Sequence, residues 1–226
     1  MHKLDRTLVR APDCLAEYSF ENHAWQDFGG QCKKQLRAAL VQMQGIPGVT
    51  TAESSEYGLR CAYCEGIIRC DGHIEHFRRK QDHRELTFVW ENLFLACGAR
   101  DHCGHYKDRR LASPYDPELL LKVDEDEPED YLYFHSSGEV RPQQALTDEH
   151  LARSVETIRV FGLNDTALRG ARSKAVSGYL KMKAADFEEL ASWDDLERDE
   201  YLQQEIDATR WDPYATTIKS FLQKTI

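Results

Sequence analysis

The sequence predicts a mixed α+β protein, with a small cysteine-stapled β-rich module held between N- and C-terminal helical segments. Three observations predict it. Four of the seven cysteines fall in two pairs, Cys61 with Cys64 and Cys97 with Cys103. A short β-like run, His73-Ile74-Glu75-His76-Phe77, lies between the pairs. Apolar residues recur at spacings of three and four on both sides of this stretch, the period of a helical face. The expected organisation is an N-terminal helical segment over 1–59, the module over 60–112 and a mostly helical region with one short β-hairpin over 113–226.

Composition narrows the class. The chain has 226 residues, 41% of them hydrophobic, and a formal net charge of -10. That charge is uneven: residues 60–112 hold ten Lys/Arg against eight Asp/Glu, whereas residues 113–226 hold thirteen against twenty-four. The cysteine-rich stretch is the net-basic part of an acidic chain, and a local basic surface can meet phosphates. No apolar run approaches the ~20 residues that a membrane-spanning helix needs, and no apolar h-region follows Met1-His2-Lys3. The expectation is a cytoplasmic, reduced protein, in which paired cysteines point to metal before disulfide.

The elements follow in order. Pro12-Asp13 starts a short helix towards Tyr18. Phe28, Cys32, Leu36, Leu40 and Met43 mark one helical face that Gly45 and Pro47-Gly48 end. Cys14 and Cys32 read as packed, unpaired thiols. Ile67-Ile68-Arg69-Cys70 and His73–Phe77 flank Asp71-Gly72, a hairpin signal. Asp124–Asp130 is an acidic run expected as a solvated loop, with a basic partner as the alternative. Tyr131–His135 and Glu139–Arg141 flank a Gly138 turn and read as a hairpin. Leu151, Val155, Ile158 and Phe161 line the next helix, which Gly162 ends. Asn164 or Asp165 caps another carrying Leu168, Ala171, Ala175, Tyr179 and Met182. On it Arg169, Arg172, Lys174, Lys181 and Lys183 form a cationic surface group with a potential phosphate-facing role. A third helix runs near Leu196–Ile206, and Trp211-Asp212-Pro213 precedes a last one.

The chemistry lies between the cysteines. A C-x-x-C knuckle places two thiolates on one side of a Zn2+ ion, so Cys61, Cys64, Cys97 and Cys103 are the expected ligands of a structural zinc. Five residues separate Cys97 from Cys103, so His102 or His105 could stand in for one thiol. Cys70 is not expected to ligate. Glu75 and His76 are neighbours, and neighbours on a regular strand face opposite ways; they can share a site only where the strand ends and twists. A neutral imidazole can take a proton from water, and a carboxylate can hold a divalent ion that stabilises a departing oxyanion. Arg78-Arg79-Lys80 follows directly and suits substrate phosphates.

The order of C-x-x-C, acid–His, Asn and second cysteine pair followed by His and Lys resembles the HNH endonucleases with their ββα-metal core. More narrowly, Cys61-Ala62-Tyr63-Cys64-Glu65, Ile74-Glu75-His76-Phe77, Trp90-Glu91-Asn92-Leu93 and Cys103-Gly104-His105-Tyr106-Lys107-Asp108 resemble the PtuB-like HNH nucleases of Septu and retron anti-phage systems. The resemblance covers about residues 60–112, with weaker likeness at Leu4-Asp5-Arg6 and Gly162-Leu163-Asn164. It implies hydrolysis of nucleic-acid phosphodiesters, DNA or RNA, with His76 as general base. It implies a catalytic divalent ion, Mg2+ or another, on Glu75, Asn92 and His105, and places Lys107 on the substrate phosphate. Gly104 stands where the family often has a ligand, which leaves Asp108 and His102 as alternatives to His105. The implied partners are a PtuA-type ATPase and, in retron systems, a reverse transcriptase with its DNA–RNA product. The rival readings are a non-catalytic zinc-ribbon module that binds nucleic acid or a partner protein, and a redox protein using Cys61 and Cys64, which the second cysteine pair and the lack of a βαβ unit disfavour.

Overall fold

The computed structural model describes residues 1–49, 58–69, 72–109 and 113–224. Cys70 and Asp71 lie outside the described residues, as do 110–112 at the expected module boundary. The order of the main elements is α1 (Gly30–Gln44), β1 (His73–His76), β2 (Leu93–Ala96), α2 (Cys103–Lys107), α3 (Pro128–Tyr131), β3 (Leu132–Phe134), β4 (Val140–Pro142), α4 (Asp148–Val160), α5 (Thr166–Met182), α6 (Ala184–Glu189), α7 (Asp195–Thr209) and α8 (Ala215–Leu222). The fold is mixed helix and sheet, with two separate two-stranded antiparallel sheets, β1–β2 and β3–β4.

Helix α1 buries Cys32, Leu36, Leu40 and Met43, the face its periodicity predicts. Its last residue reaches into the sheet. Gln44 accepts from Leu95 N–H at 2.6 Å and donates to the carbonyls of Leu95 and Arg60. An amide with one acceptor and two donors thus satisfies the open edge of β2 in a dry interior, where an unpaired backbone group would cost about 1–3 kcal/mol. Leu93, Phe94, Leu95 and Ala96 are all buried, so β2 is covered on both faces.

Strand β1 pairs with β2, His73 opposite Ala96 and His76 opposite Leu93. This corrects the expected hairpin: Ile67 instead pairs with Arg60 in an isolated bridge that closes the knuckle. The β3–β4 hairpin forms as expected around Gly138, whose φ is +85°. The main core runs from Met1 through α1, the cysteine module and β3–β4 to Leu168, across both expected boundaries. A second core joins Val176 and Tyr179 of α5 to Leu202 of α7 and to Ile218 and Leu222 of α8. Helix α6 and the 3-10 turn Leu190–Ser192, which the sequence did not suggest, connect α5 to α7.

Three further expectations are corrected. Cys14 and Cys32 are joined by a disulfide. Asp124, Asp126 and Glu129 of the acidic run are paired with Arg6, Arg153 and Lys219, so the run ties distant segments together. Arg172 is 1% exposed and donates to the Leu163 carbonyl at 2.6 Å, and Lys183, just past the end of α5, pairs with Glu205 of α7 at 2.8 Å, while Arg169, Lys174 and Lys181 are exposed. No helix among the described residues is long and apolar enough to cross a membrane.

Candidate metal centre and acid–histidine pair

The knuckle is a tight turn built from backbone bonds. Cys61 N–H donates to the Gly66 carbonyl, Glu65 N–H to the Cys61 carbonyl, and Gly66 N–H to the Cys64 sulfur at 3.4 Å. Glu65 takes φ +64° to complete it. Cys97 follows the end of β2. Cys103 opens α2 with φ +61°, held by its N–H on the Phe161 carbonyl. The four sulfurs lie within 4.8 Å of one another, all buried. Cys61–Cys103 is 3.7 Å and Cys64–Cys97 is 3.9 Å. A tetrahedron with Zn–S of about 2.3 Å has S···S edges of about 3.8 Å, so the four thiols fit a closed zinc site without a histidine. His102 lies beside it, Nδ1 3.1 Å from the Cys103 sulfur.

The surroundings tie the centre to both ends of the chain. Glu65, 1% exposed, meets the Met1 amine at 3.3 Å, His2 Nδ1 at 3.2 Å and the Thr216 hydroxyl on α8. Burial works against its charge, but these neighbours and Arg60 hold the carboxyl well below the usual range. Arg172, in the field of Cys64, Glu65 and Cys103, offsets negative charge that a tetrathiolate centre carries.

Glu75 and His76 face opposite sides of β1, as an unbroken strand dictates. Glu75 is 3% exposed and lies against α2. Its carboxylate meets Lys107 Nζ at 2.9 Å and His73 Nε2 at 3.1 Å. It also covers Gly104 so closely that a Cβ there would come within 2.3 Å of Oε2. Burial would raise the Glu75 pKa, but Lys107 and His73 bring it down to about 2. Lys107 is itself fully buried. It donates to the His76 carbonyl at 2.9 Å and meets Asp108 at 2.6 Å. The ammonium expected on a substrate phosphate is thus an internal counter-ion.

His76 ends β1 on the other face. Its Nε2 lies 3.0 Å from the Thr87 carbonyl, and because a carbonyl only accepts, Nε2 carries the proton. Nδ1 is then the free base, with no protein partner among the described residues. The Trp25 ring meets the imidazole edge-on at 4.4 Å. Burial and then Lys80 lower its pKa to about 4, so the ring is neutral at pH 7.

Asn92 holds the loop between the strands. It accepts from Arg78 N–H at 2.7 Å and donates to the carbonyls of Arg78 and Leu86, both at 3.1 Å. Its side chain is thus spent on the backbone of this loop. His105 is exposed and stacks on His73 with centroids 3.9 Å apart. Arg78 pairs with Glu118, and Arg79 with Asp108 and the Lys107 carbonyl; Lys80 has no ion-pair partner among the described residues.

No family model and no curated protein matches the chain.

The geometry therefore stands by itself. It joins His76 with Thr87 and Trp25 in one cluster and His73, Glu75, Gly104, His105 and Lys107 in another, with Asn92 on the loop backbone at Arg78 and Leu86. The three groups expected to hold a divalent ion do not all converge: Glu75 and His105 both meet His73, but Glu75 is paired with Lys107 and Asn92 is bound to backbone. Among the described residues the four cysteines are the one set placed to ligate a metal. His73, Gly104, Thr87 and Trp25 were missed. His73 had a signal, two residues before Glu75 on the same strand face; Thr87 and Trp25 had none, because they meet His76 through the tertiary fold.

Proposed function

We propose that this chain is an HNH-type endonuclease that hydrolyses nucleic-acid phosphodiesters, with His76 as general base and the zinc centre as scaffold. The observation that carries the reading is the His76–Thr87 hydrogen bond. It fixes a neutral tautomer at the end of β1 with Nδ1 free. The succession of β1, an Asn92-clamped loop, β2 and α2 supports it. Nδ1 takes a proton from water, the water oxygen bonds to phosphorus, and the P–O bond to the leaving oxygen breaks. The resemblance adds a divalent ion, Mg2+ or another, that would stabilise the leaving oxygen. As placed, Glu75, Asn92 and His105 do not fit it, and no step is routed through it. Anti-phage function, a PtuA-type ATPase partner and a reverse transcriptase with its DNA–RNA product belong to the same proposal, as does a cytoplasmic setting.

A second reading, a zinc module that binds without cutting, is favoured by one observation: Lys107 neutralises Glu75 internally. His76→Gln separates the two. Glutamine keeps most of the buried volume and an amide donor for Thr87, but it cannot act as base. Cleavage should fall by a factor on the order of a hundred or more, with zinc content and melting temperature retained. A wild type that binds nucleic acid and never cuts, with every implied partner present, favours the second reading. A folded His76→Gln protein that cuts at the wild-type rate removes His76 from the mechanism.

A further inference from the structure

A cleft of about 650 Å³ opens beside His76. Two residues tie it to that histidine: Thr87 and Trp25 both line the cleft, and both touch the imidazole. Its apolar surface comes from Trp25, half-buried, and Phe20, which is 37% exposed. Phe20 is the unfilled apolar surface, whereas Trp25 stacks on Phe28 and has the Lys33 ammonium over its ring at 5.6 Å. The rim carries Lys80 and Arg84, neither of which has an ion-pair partner among the described residues. Arg78 and Arg79, by contrast, are tied to carboxylates. The free cations of the basic loop thus sit at the mouth of the aromatic cleft. Lys80 is near enough to His76 to help depress its pKa.

The cleft is also preformed. Phe20 and Trp25 lie on the segment whose ends are joined by the Cys14–Cys32 disulfide. Tyr18, Trp25 and Phe28 pack on one another and on Phe88. A fixed aromatic wall avoids the ordering cost that a mobile one would incur on binding. Its volume falls within the ~300–1,000 Å³ that suits a small ligand, the size of one nucleotide. Glu21 and Asp27 line it too, with the side-chain amides of Asn22 and Gln26. The lining therefore offers both acceptors and donors, as the edge of a nucleobase requires, and not the uniformly basic surface that would track a duplex backbone.

We infer that this cleft receives one unstacked base of a single-stranded nucleic acid, stacked against Phe20 with Trp25 at its side, and with the adjoining phosphates on Lys80 and Arg84. The inference rests on the reading of His76 as the centre of a nucleic-acid site, and it names the form of substrate that site takes. A paired, stacked base has no free face to offer an aromatic wall, whereas every unpaired base has one. The strand held this way passes Thr87 and Trp25, the two residues that touch the imidazole.

The test uses the full chain carrying His76→Gln, so that binding is read without cleavage. Fluorescence anisotropy compares a short labelled single strand, as DNA and as RNA, with the blunt duplex of the same sequence at one salt concentration. The single strand should bind about tenfold or more tightly than the duplex. Phe20→Ala should weaken single-strand binding by about tenfold, within the span measured for loss of one stacking partner, and Phe20→Tyr should restore it. Abasic sites in the strand should cost a similar factor and abolish the response to Phe20→Ala. Arg84→Glu should weaken binding and flatten its salt dependence. Phe20 and Arg84 are exposed, so neither change threatens the fold. Equal or tighter duplex binding, no single-strand binding, or indifference to Phe20→Ala overturns the inference. Its failure is distinct from that of the nuclease reading: a wild type that cuts with Phe20→Ala binding normally loses the cleft alone. One that never cuts but shows the full binding pattern loses the nuclease alone.

Discussion

At the scale of single residues, the Glu75–Lys107 pair decides how the interior of the module is charged. Two buried ions offset their desolvation only with close geometry and further hydrogen bonds. Lys107 has both, through Glu75, Asp108 and the His76 carbonyl. The pair is possible because residue 104 is glycine. Gly104→Ala would put a methyl group within 2.3 Å of one carboxylate oxygen and 2.4 Å of the carboxyl carbon. The carboxylate must then move away from Lys107 or the helix away from the strand. The expected cost is about 1–3 kcal/mol, the usual range for overpacking a filled interior, read as a lower urea midpoint with an unchanged slope. Glu75→Asp, one methylene shorter, should relieve part of it in the double variant. An unchanged midpoint in Gly104→Ala would show that the carboxylate does not rest on this glycine. This closeness also bears on legibility. Gly104 departs from the pattern of the nucleases that this stretch resembles, but that its missing side chain is replaced by the Glu75 carboxylate could be seen only once β1 and α2 were in contact.

At the scale of elements, the four-cysteine centre brings together three pieces of the module. The knuckle, the end of β2 and the start of α2 each contribute thiols, and Glu65 ties the knuckle to α8 through Thr216 and through its own carbonyl to Tyr214 N–H. Cys61→Ser should therefore lose about one equivalent of zinc and lower the stability of the module, because a structural site contributes its binding energy to folding. The loosening should extend to α8, visible as faster amide exchange over 215–222 as well as in the knuckle. Full zinc content in Cys61→Ser would remove this ligand. These cysteines were legible because ligand spacing is a local property. The β1–β2 pairing was not, since sixteen residues separate the strands and the nearer Asp71-Gly72 signal pointed to Ile67–Cys70 instead. The face of α4 was misread for a related reason. Leu151 and Val155 are 43% and 50% exposed, while Ser154 and Thr157 are buried. Ser154 donates to the Tyr131 carbonyl and Thr157 accepts from Leu121 N–H. Backbone groups of Tyr131 and Leu121 needed hydroxyls at those positions, and a rule based on hydrophobicity counts hydroxyls as outward.

At the scale of the whole molecule, the charge pattern sets how stability should vary with pH. His76 titrates from an ordinary value of 6.5 down to about 4 in the fold. The unfolded chain therefore binds its proton first, and stability that is complete above pH 6.5 is lost as the pH falls towards 4. Glu75, lowered from 4.5 to about 2, contributes stability present above pH 4.5 and lost as the pH falls towards 2. Glu65 acts in the same direction. Asp108, raised by burial and by Glu75, opposes them in part. The sum is a protein whose resistance to urea should decline in two stages, first between pH 6.5 and 4 and then more steeply below 4.5. His76→Gln probes the first stage: the variant should lose part of the decline between pH 6.5 and 4, the rest belonging to His2 and His105, whose pKa values burial also lowers, while keeping the decline below it. In the nuclease reading, the same imidazole fixes the acid limb of kcat/KM. That limb should lie near pH 4 in the free protein rather than near 6.5, provided the rate is followed only where the fold is intact. A limb at 6.5 would mean that the working base is a more exposed group than His76. An unchanged urea profile in His76→Gln between pH 6.5 and 4 would mean that this ring is not held neutral by the fold.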